Sequence, residues 1–221
     1  MRRYIIFDLD GTLVDSNAIC VEILQEMLED RGSTRRIDPV ASAPHMSLGG
    51  EHMVRTLLAK ACADPKADLA DFRARYARRT TSPGSIFAGV ADGLQRLAQA
   101  GFELAICSNK PVNLCTKVLA DTGLNQHFGV VVGGAQGLRP KPAPDLLDAT
   151  LAQLGASAVQ CLFVGDSDLD HAIAADAQIP FCFMTYGYAE PGWTPSLGES
   201  FGEFGQLVEY LLANAPLRHD A

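Results

Sequence analysis

The pattern of apolar and polar residues changes character near residue 85. Before that point apolar residues recur mainly at helical spacing, whereas after it short, wholly apolar runs alternate with helical segments. The runs are residues 102–107, 130–132, 161–164 and 181–184, and the helical segments are 89–100, 111–123, 144–155, 169–177 and 203–214. This alternation predicts an α/β protein with a Rossmann-like parallel sheet and helices on both of its faces.

A further apolar run near the N-terminus predicts a buried strand that ends on two carboxylates, Asp8 and Asp10. Their spacing points both side chains the same way if Asp10 is still extended, and Gly11 lets the chain turn. Acids at the end of a core strand are costly unless a metal, hydrogen bonds or cations compensate them, and ligands bind at that edge of an open α/β sheet. A plain turn with capping aspartates is the alternative, and it explains Asp15 better than Asp8.

The segment between this strand and the later alternation is helical in character. The pattern predicts a helix over 17–31, a loop over 33–50, a helix containing residues 53–61 and a helix that begins at Pro65. Ser82-Pro83-Gly84 then breaks the pattern. We therefore expect a core domain of residues 1–15 and 84–221, with a small α-helical cap domain of residues 16–83 over the carboxyl end of the sheet.

Composition narrows the classes of partner. The 221-residue chain is 48% apolar, carries a formal charge of −8 and has no long basic run, which argues against a nucleic-acid partner. No apolar run approaches the roughly 20 residues that cross a bilayer, so no membrane association is expected. The six cysteines include no C-x-x-C pair, which favours a cytoplasmic location. The arginines at 73, 75, 78 and 79 are interpreted as a solvated helix face.

Polar residues follow each strand of the predicted sheet and should meet at one edge. They are Ser108-Asn109-Lys110 after the second strand, Arg139-Pro140-Lys141-Pro142 after the third and Gly165-Asp166-Ser167-Asp168-Leu169-Asp170 after the fourth. Clustered carboxylates suit Mg²⁺, and a hydroxyl, backbone N–H groups and a lysine suit a phosphate. Individually these residues also fit helix caps, turns or a solvated loop, so their joint occurrence carries the hypothesis.

Taken together, these motifs resemble those of the haloacid dehalogenase superfamily. The run from Asp8 to Ser16 resembles the first motif of that family, Ser108 the second, Lys141 the third and Gly165 to Asp170 the fourth. The segments Ser108-Asn109-Lys110-Pro111, Lys141-Pro142-Ala143-Pro144 and Thr185-Tyr186-Gly187-Tyr188 are most similar to the phosphoglycolate phosphatase branch. The resemblance covers residues 1–15 and about 84–190, and the helical insert matches the position of that branch's cap.

The resemblance implies a Mg²⁺-dependent phosphatase that hydrolyses a small phosphorylated metabolite through an aspartyl phosphate. Asp8 would be the nucleophile and Asp10 the general acid and base. Ser108 and Lys141 would bind the phosphoryl oxygens. Mg²⁺ would be held by Asp8, the backbone carbonyl of Asp10 and Asp166, with Asp170 ligating through water or orienting Lys141. Thr12 would position Asp10 or cap the turn.

The choice of substrate would fall largely to the cap. The residues expected near the substrate are Thr12, Asn109, His45, Gly49, Gly50 and Arg55. A phosphosugar mutase of the same superfamily is the alternative enzyme, and a non-catalytic phospholigand-binding protein ranks below it because Asp8 and Asp10 are both present. Hydrolytic dehalogenation ranks lower as well, since the dehalogenases that resemble this fold lack the acid at Asp10. The sequence does not indicate an oligomeric state.

Overall fold

The computed structural model describes residues 3–214 and contains one parallel sheet of six strands. The strand order is β3-β2-β1-β4-β5-β6, so β1 lies in the middle. The strands are β1 Tyr4–Phe7, β2 Glu103–Pro111, β3 Phe128–Gly134, β4 Cys161–Gly165, β5 Phe181–Met184 and β6 Glu199–Phe201. The predicted parallel sheet is confirmed, and the ends of the predicted core at residues 1–2 and 215–221 lie outside the described part of the chain.

Helices cover both faces of this sheet, as predicted. Ile5 and Phe7 of β1 pack into one apolar cluster, whereas Tyr4 and Ile6 pack into a second cluster. Burial on both faces explains why the strand is a continuous apolar run and not an alternating one. Five of the described helices follow residue 85 and alternate with the strands of the sheet. They are α5 Val90–Gln99, α6 Val112–Thr122, α7 Asp145–Leu154, α8 Asp168–Asp176 and α9 Phe204–Ala213.

Four helices lie between β1 and α5, and they pack on one another. They are α1 Asn17–Asp30, α2 Pro39–Ser47, α3 Gly50–Leu58 and α4 Pro65–Ala77. The predicted loop over 33–50 is wrong because α2 occupies its second half. Asp38 accepts a hydrogen bond from the Val40 amide at 2.9 Å, and Pro39 occupies the first turn of the helix. These are start signals for a helix, and they outweigh the loop character of the flanking residues.

Two strands also differ from the prediction. β2 runs on to Pro111, beyond the predicted end at Cys107, and its pairing with β3 shifts register over this extension. The short strand β6 was not predicted. It consists of three residues that pair with β5, and a strand this short leaves no apolar run in the sequence.

The two connections between α1–α4 and the rest of the chain run side by side. Val14 and Ile86 form an antiparallel bridge, and the Asp15 amide donates to the Ser85 carbonyl at 2.7 Å. The segment that contains α1–α4 therefore leaves the sheet and returns to it at the same place. Within residues 3–214, the structure has no helix that is long and apolar enough to cross a bilayer.

Candidate active site

The carboxyl edge of the sheet and the helices α2–α4 enclose a cavity of about 110 Å³. Because β1, β2 and β4 are parallel, the residues that follow them emerge at the same edge. The sheet side of the cavity is lined by Asp8, Asp10, Ser108, Asn109, Lys110, Pro111 and Lys141. The sequence motifs at successive strand ends therefore meet around one space.

Three buried carboxylates form a cluster at this edge. Asp8, Asp166 and Asp170 each place a carboxylate oxygen within 4.8 Å of the others. Asp166 accepts hydrogen bonds from the Thr12 hydroxyl at 2.7 Å and from the Tyr188 amide at 2.8 Å. Thr12 was expected near the substrate, where it would position Asp10 or cap the turn. Its hydroxyl instead positions Asp166, and Thr12 is not among the residues that line the cavity.

Lys141 supplies the positive charge beside this cluster. Its ammonium donates to Asp8 at 2.8 Å, to Asp170 at 2.6 Å and to the Cys107 carbonyl at 3.0 Å. Three acceptors match the three protons of an ammonium. Burial disfavours the charged form of Lys141, but Asp170 and Asp8 outweigh it and raise the pKa of this lysine.

Asp170 and Asn109 fix the surroundings of that lysine. The second carboxylate oxygen of Asp170 accepts from the Ser167 hydroxyl at 2.6 Å and from the Ser167 amide at 3.2 Å, at the start of α8. Asn109 accepts from the Lys141 amide at 2.7 Å and donates to the Lys141 carbonyl at 3.2 Å. The side chain of Asn109 therefore ties the end of β2 to the loop that carries Lys141.

Glycines make room for two of the acids. A Cβ atom at Gly11 would lie 2.1 Å from a carboxylate oxygen of Asp166, and one at Gly187 would lie 2.2 Å from the Cβ of Asp166. A Cβ at Gly165 would similarly lie 2.5 Å from the Cβ of Asp170. Gly11 also has a φ of +82°, which favours glycine on its own account. The backbone is thus shaped to hold carboxylates close together.

The negative charge of the three carboxylates exceeds the positive charge of the one ammonium beside them, so a further cation would stabilise the cluster. Burial raises the pKa of Asp8 to about 6, although Lys141 opposes the shift. Burial, reinforced by Asp170 and Asp8, also raises the pKa of Asp166 well above its ordinary value. Three buried carboxylates that share one ammonium leave excess negative charge, and hard oxygen donors are the ligands of divalent cations such as Mg²⁺. The donor set therefore fits a divalent metal.

Asp10 and Lys110 form a second ion pair, on the cavity side of the cluster. The Lys110 ammonium lies 2.9 Å from each carboxylate oxygen of Asp10 and 4.3 Å from the ring centroid of Tyr76 in α4. Burial disfavours the charged form of Lys110. Asp10, with a smaller contribution from Tyr76, outweighs this effect and raises the pKa of the lysine. The sequence places Lys110 in the motif after β2 but indicates no role of its own for it.

Helices α2–α4 form the opposite wall of the cavity. It is lined by Met46, Ser47, Gly49, Gly50, Met53, Leu69, Phe72, Arg73 and Tyr76. Gly49 and Gly50 were expected near the substrate and do line the cavity, whereas His45 and Arg55 are not among its lining residues. The ring of His45 instead lies 5.6 Å from the ring of His52, and Arg55 is exposed.

The arginine-rich face of α4 is a solvated surface only in part, because Arg73 and Arg78 are exposed whereas Arg75 and Arg79 are partly buried. Arg73 lines the cavity. Arg75 pairs with Asp30 at 2.7 Å and with Asp71 at 3.1 Å, and Arg79 pairs with Glu26. Arg75 and Arg79 therefore hold α4 against α1, and Arg73 is an exposed residue at the rim of the cavity.

The structure combines a parallel sheet, helices on both of its faces, and a buried carboxylate cluster with a lysine at the carboxyl edge. These are the features expected of the hydrolase class that the sequence motifs indicate. The family model for haloacid dehalogenase-like hydrolases matches residues 5–184. The chain belongs to this family.

Relatives and solved structures extend this assignment. The plasmid-encoded phosphoglycolate phosphatase of Cupriavidus necator is 39% identical over a match of 199 residues that covers 88% of this chain and 85% of the relative. The phosphoglycolate phosphatase of Rhodospirillum rubrum is 35% identical and covers 96% of this chain and 91% of its own. A haloacid dehalogenase-like hydrolase from Streptococcus pneumoniae shares the fold, with a TM-score of 0.80, 19% identity and coverage of 95% of this chain and 98% of its own.

Proposed function

We propose that the protein is a Mg²⁺-dependent phosphomonoester hydrolase that acts on phosphoglycolate. The observation that carries the proposal is the cluster of Asp8, Asp166 and Asp170 beside Lys141, in a cavity that also contains Asp10. The names of the relatives at 39% and 35% identity supply the substrate and do not favour the mutase alternative. The proposed partner is thus a small phosphorylated metabolite.

Asp8 and Asp10 would divide the chemistry between them. A carboxylate oxygen of Asp8 attacks phosphorus, the ester P–O bond breaks, and Asp10 gives its proton to the leaving alkoxide. A water molecule then gives a proton to Asp10 and attacks the same phosphorus, and the Asp8–phosphorus bond breaks to release inorganic phosphate. Lys141 and the Ser108 hydroxyl bind the phosphoryl oxygens through both steps.

Mg²⁺ would be held by Asp8, the Asp10 backbone carbonyl and Asp166. When bound, it would offset the repulsion between the Asp8 carboxylate and a phosphate dianion. Asp170 engages Lys141 and Ser167 with its two oxygens, which supports a role in orienting Lys141 from outside the inner ligand set.

Residues 16–83 would act as a cap domain that closes over the substrate. The support is that helices α1–α4 pack on one another, line one wall of the cavity and join the sheet through two adjacent segments, Val14–Ser16 and Ser82–Ile86. Such an arrangement permits hinge closure, which excludes water from the reaction. A cytoplasmic location belongs to the same proposal, in keeping with six cysteines that form no disulfide.

A turnover screen of small phosphomonoesters tests the proposal. The wild-type protein is assayed by phosphate release with phosphoglycolate, ethyl phosphate, glycerol phosphates and p-nitrophenyl phosphate, in Mg²⁺ and after chelation by EDTA. We expect phosphoglycolate to give the highest kcat/KM in Mg²⁺ and EDTA to abolish turnover. If no ester released phosphate in Mg²⁺, the proposal of a phosphatase would be contradicted. Full activity after chelation would contradict the proposed metal dependence.

A further inference from the structure

The environment of Lys110 suggests more than a structural ion pair. Its side chain is only 9% exposed, yet it lines the cavity together with Asp8, Asp10 and Ser108. Both oxygens of Asp10 lie 2.9 Å from its ammonium, and the ring of Tyr76 covers it at 4.3 Å. Lys110 therefore stands between the proposed general acid and the helical wall.

This contact of Lys110 with both oxygens of Asp10 must loosen during the proposed reaction. Asp10 must turn an oxygen toward the leaving group, and in the present arrangement Lys110 holds both of its oxygens. A buried ammonium that loses its carboxylate is strongly destabilised unless another anion replaces it. The Tyr76 ring offers a cation–π contact at 4.3 Å but carries no negative charge to balance the ammonium. An anionic group of the substrate would compensate the ammonium as Asp10 turns away.

The proposed substrate carries such an anion at the required place. In phosphoglycolate a single CH₂ group separates the carboxylate from the ester oxygen. With the phosphoryl group on Asp8, Ser108 and Lys141, and with the ester oxygen facing Asp10, the carboxylate lies beside Asp10. Lys110 is the cation that occupies this position, since its ammonium contacts Asp10 directly.

We propose that Lys110 is a specificity-determining residue that binds the carboxylate of the substrate and, in doing so, releases Asp10 to face the leaving group. The inference rests on the proposed function and deepens it. Arg73 also lines the cavity, but it is an exposed residue on α4. The buried position of Lys110 next to Asp10 makes it the better match for a carboxylate so close to the reacting bond.

The test compares phosphoglycolate with ethyl phosphate, in which a methyl group replaces the carboxylate. We measure the ratio of the two kcat/KM values in Mg²⁺ for the wild type, K110M, K110Q and the control K117M. Lys117 is a matched lysine that pairs with Asp121 at 2.7 Å on α6 and does not line the cavity. Because each ratio is measured on one preparation, the fraction of active protein cancels.

We expect the wild type and K117M to prefer phosphoglycolate, and K110M and K110Q to lower the ratio by about 50-fold, as the loss of a charge-assisted hydrogen bond predicts. A ratio that changes less than about threefold in both Lys110 variants, or that falls equally in K117M, would overturn the inference. A wild type that shows no preference for phosphoglycolate over ethyl phosphate would overturn it even if both variants failed to fold. A wild type inactive on all phosphomonoesters would contradict the proposed function instead.

Discussion

The two walls of the cavity are built from different interactions. On the sheet wall the functional atoms are fixed by directional bonds, such as those of Lys141 to Asp8 at 2.8 Å and to Asp170 at 2.6 Å. On the helical wall the lining is mostly apolar, with Met53, Leu69 and Phe72 packed side by side from α3 and α4. Directional bonds hold atoms to within fractions of an ångström, whereas apolar contacts tolerate exchange of similar side chains.

This contrast indicates a division of labour. The sheet wall holds groups whose geometry a reaction requires, and the helical wall presents a surface that can change with the substrate. The two buried lysines show the same difference. Lys141 is surrounded by three oxygen acceptors on the sheet wall, whereas Lys110 has one acid and the ring of Tyr76 from α4. Lys110 thus contacts both walls, Asp10 on the sheet wall and Tyr76 on the helical wall.

The largest effect on stability is expected from K141M. The substitution leaves Asp8 and Asp170 buried without their ammonium, and breaking a buried pair in this way costs about 3–5 kcal/mol. Urea unfolding of the metal-free protein at neutral pH measures the change in the free energy of unfolding. The control K117M removes a partly exposed pair and should cost less than about 1 kcal/mol. Equal stabilities of K141M and K117M would mean that Lys141 does not hold the sheet wall together.

Stability of the metal-free protein should depend on pH through the same acids. The folded state keeps the pKa of Asp8 near 6, against an ordinary value of 3.8, so it binds a proton that the unfolded chain has lost. This contribution is fully present below about pH 4 and is lost as pH rises to about 6, a decline on the order of 3 kcal/mol. Unfolding in EDTA across this pH range measures it.

Saturating Mg²⁺ should reverse much of this decline, because the metal stabilises the ionised carboxylates. The variant D8N has no carboxyl group to titrate at this position, so its metal-free stability should fall less between pH 4 and pH 6. A decline of the same size in D8N and in the wild type would assign the pH dependence to groups outside the cluster.

A smaller effect, on metal affinity alone, is expected from G187A. The new Cβ would lie 2.2 Å from the Cβ of Asp166, so Asp166 must move away from its place in the cluster. We expect the dissociation constant for Mg²⁺, measured by calorimetry, to rise about tenfold, as is usual when the support of a ligand is disturbed. The control G205A adds a methyl group on α9 where no atom beyond its chain neighbours and the backbone of its own helix lies within 4 Å. Unchanged affinity in G187A would remove Asp166 from the proposed ligands.

The smallest effect is expected on the helical wall. R73M removes a cation that lines the cavity, and we expect kcat/KM for phosphoglycolate to fall roughly fivefold through weaker attraction of the anion. R55M removes an exposed arginine outside the lining and should change this value less than about twofold. Steady-state assays at two salt concentrations measure both variants. A larger loss in R55M than in R73M would restore the original expectation for Arg55.

The sequence predicted the sheet wall far better than the helical wall, and the physical reason is local. Short loops that follow parallel strands must emerge at one edge, so Asp8, Lys141 and Asp166 could be brought together from their order along the chain alone. Which helical residues face the cavity depends on how α2–α4 pack against the sheet, and no local pattern encodes that packing. The pattern therefore predicts the exposure of Arg73 but not its place on the cavity lining, and it wrongly places His45 beside the substrate.

Lys110 illustrates the intermediate case. Its place after β2 was predicted with the other strand ends, but its role was not. β2 continues to Pro111 with a shift of register, and this extension brings the ammonium to Asp10. A lysine beside a motif serine has no signature of its own, because its partner lies 100 residues away in the chain. Only the folded arrangement identifies that partner.

The central claim is that Asp8 is the nucleophile of a phosphatase, and the turnover of D8N tests it most directly. The substitution is nearly isosteric and removes a buried charge, so the fold should persist by circular dichroism. We expect kcat for both phosphoglycolate and p-nitrophenyl phosphate in Mg²⁺ to fall by about 10⁴-fold or more. The control D176N, at an exposed acid at the end of α8, should remain as active as the wild type. Turnover of D8N at the wild-type rate would contradict the account.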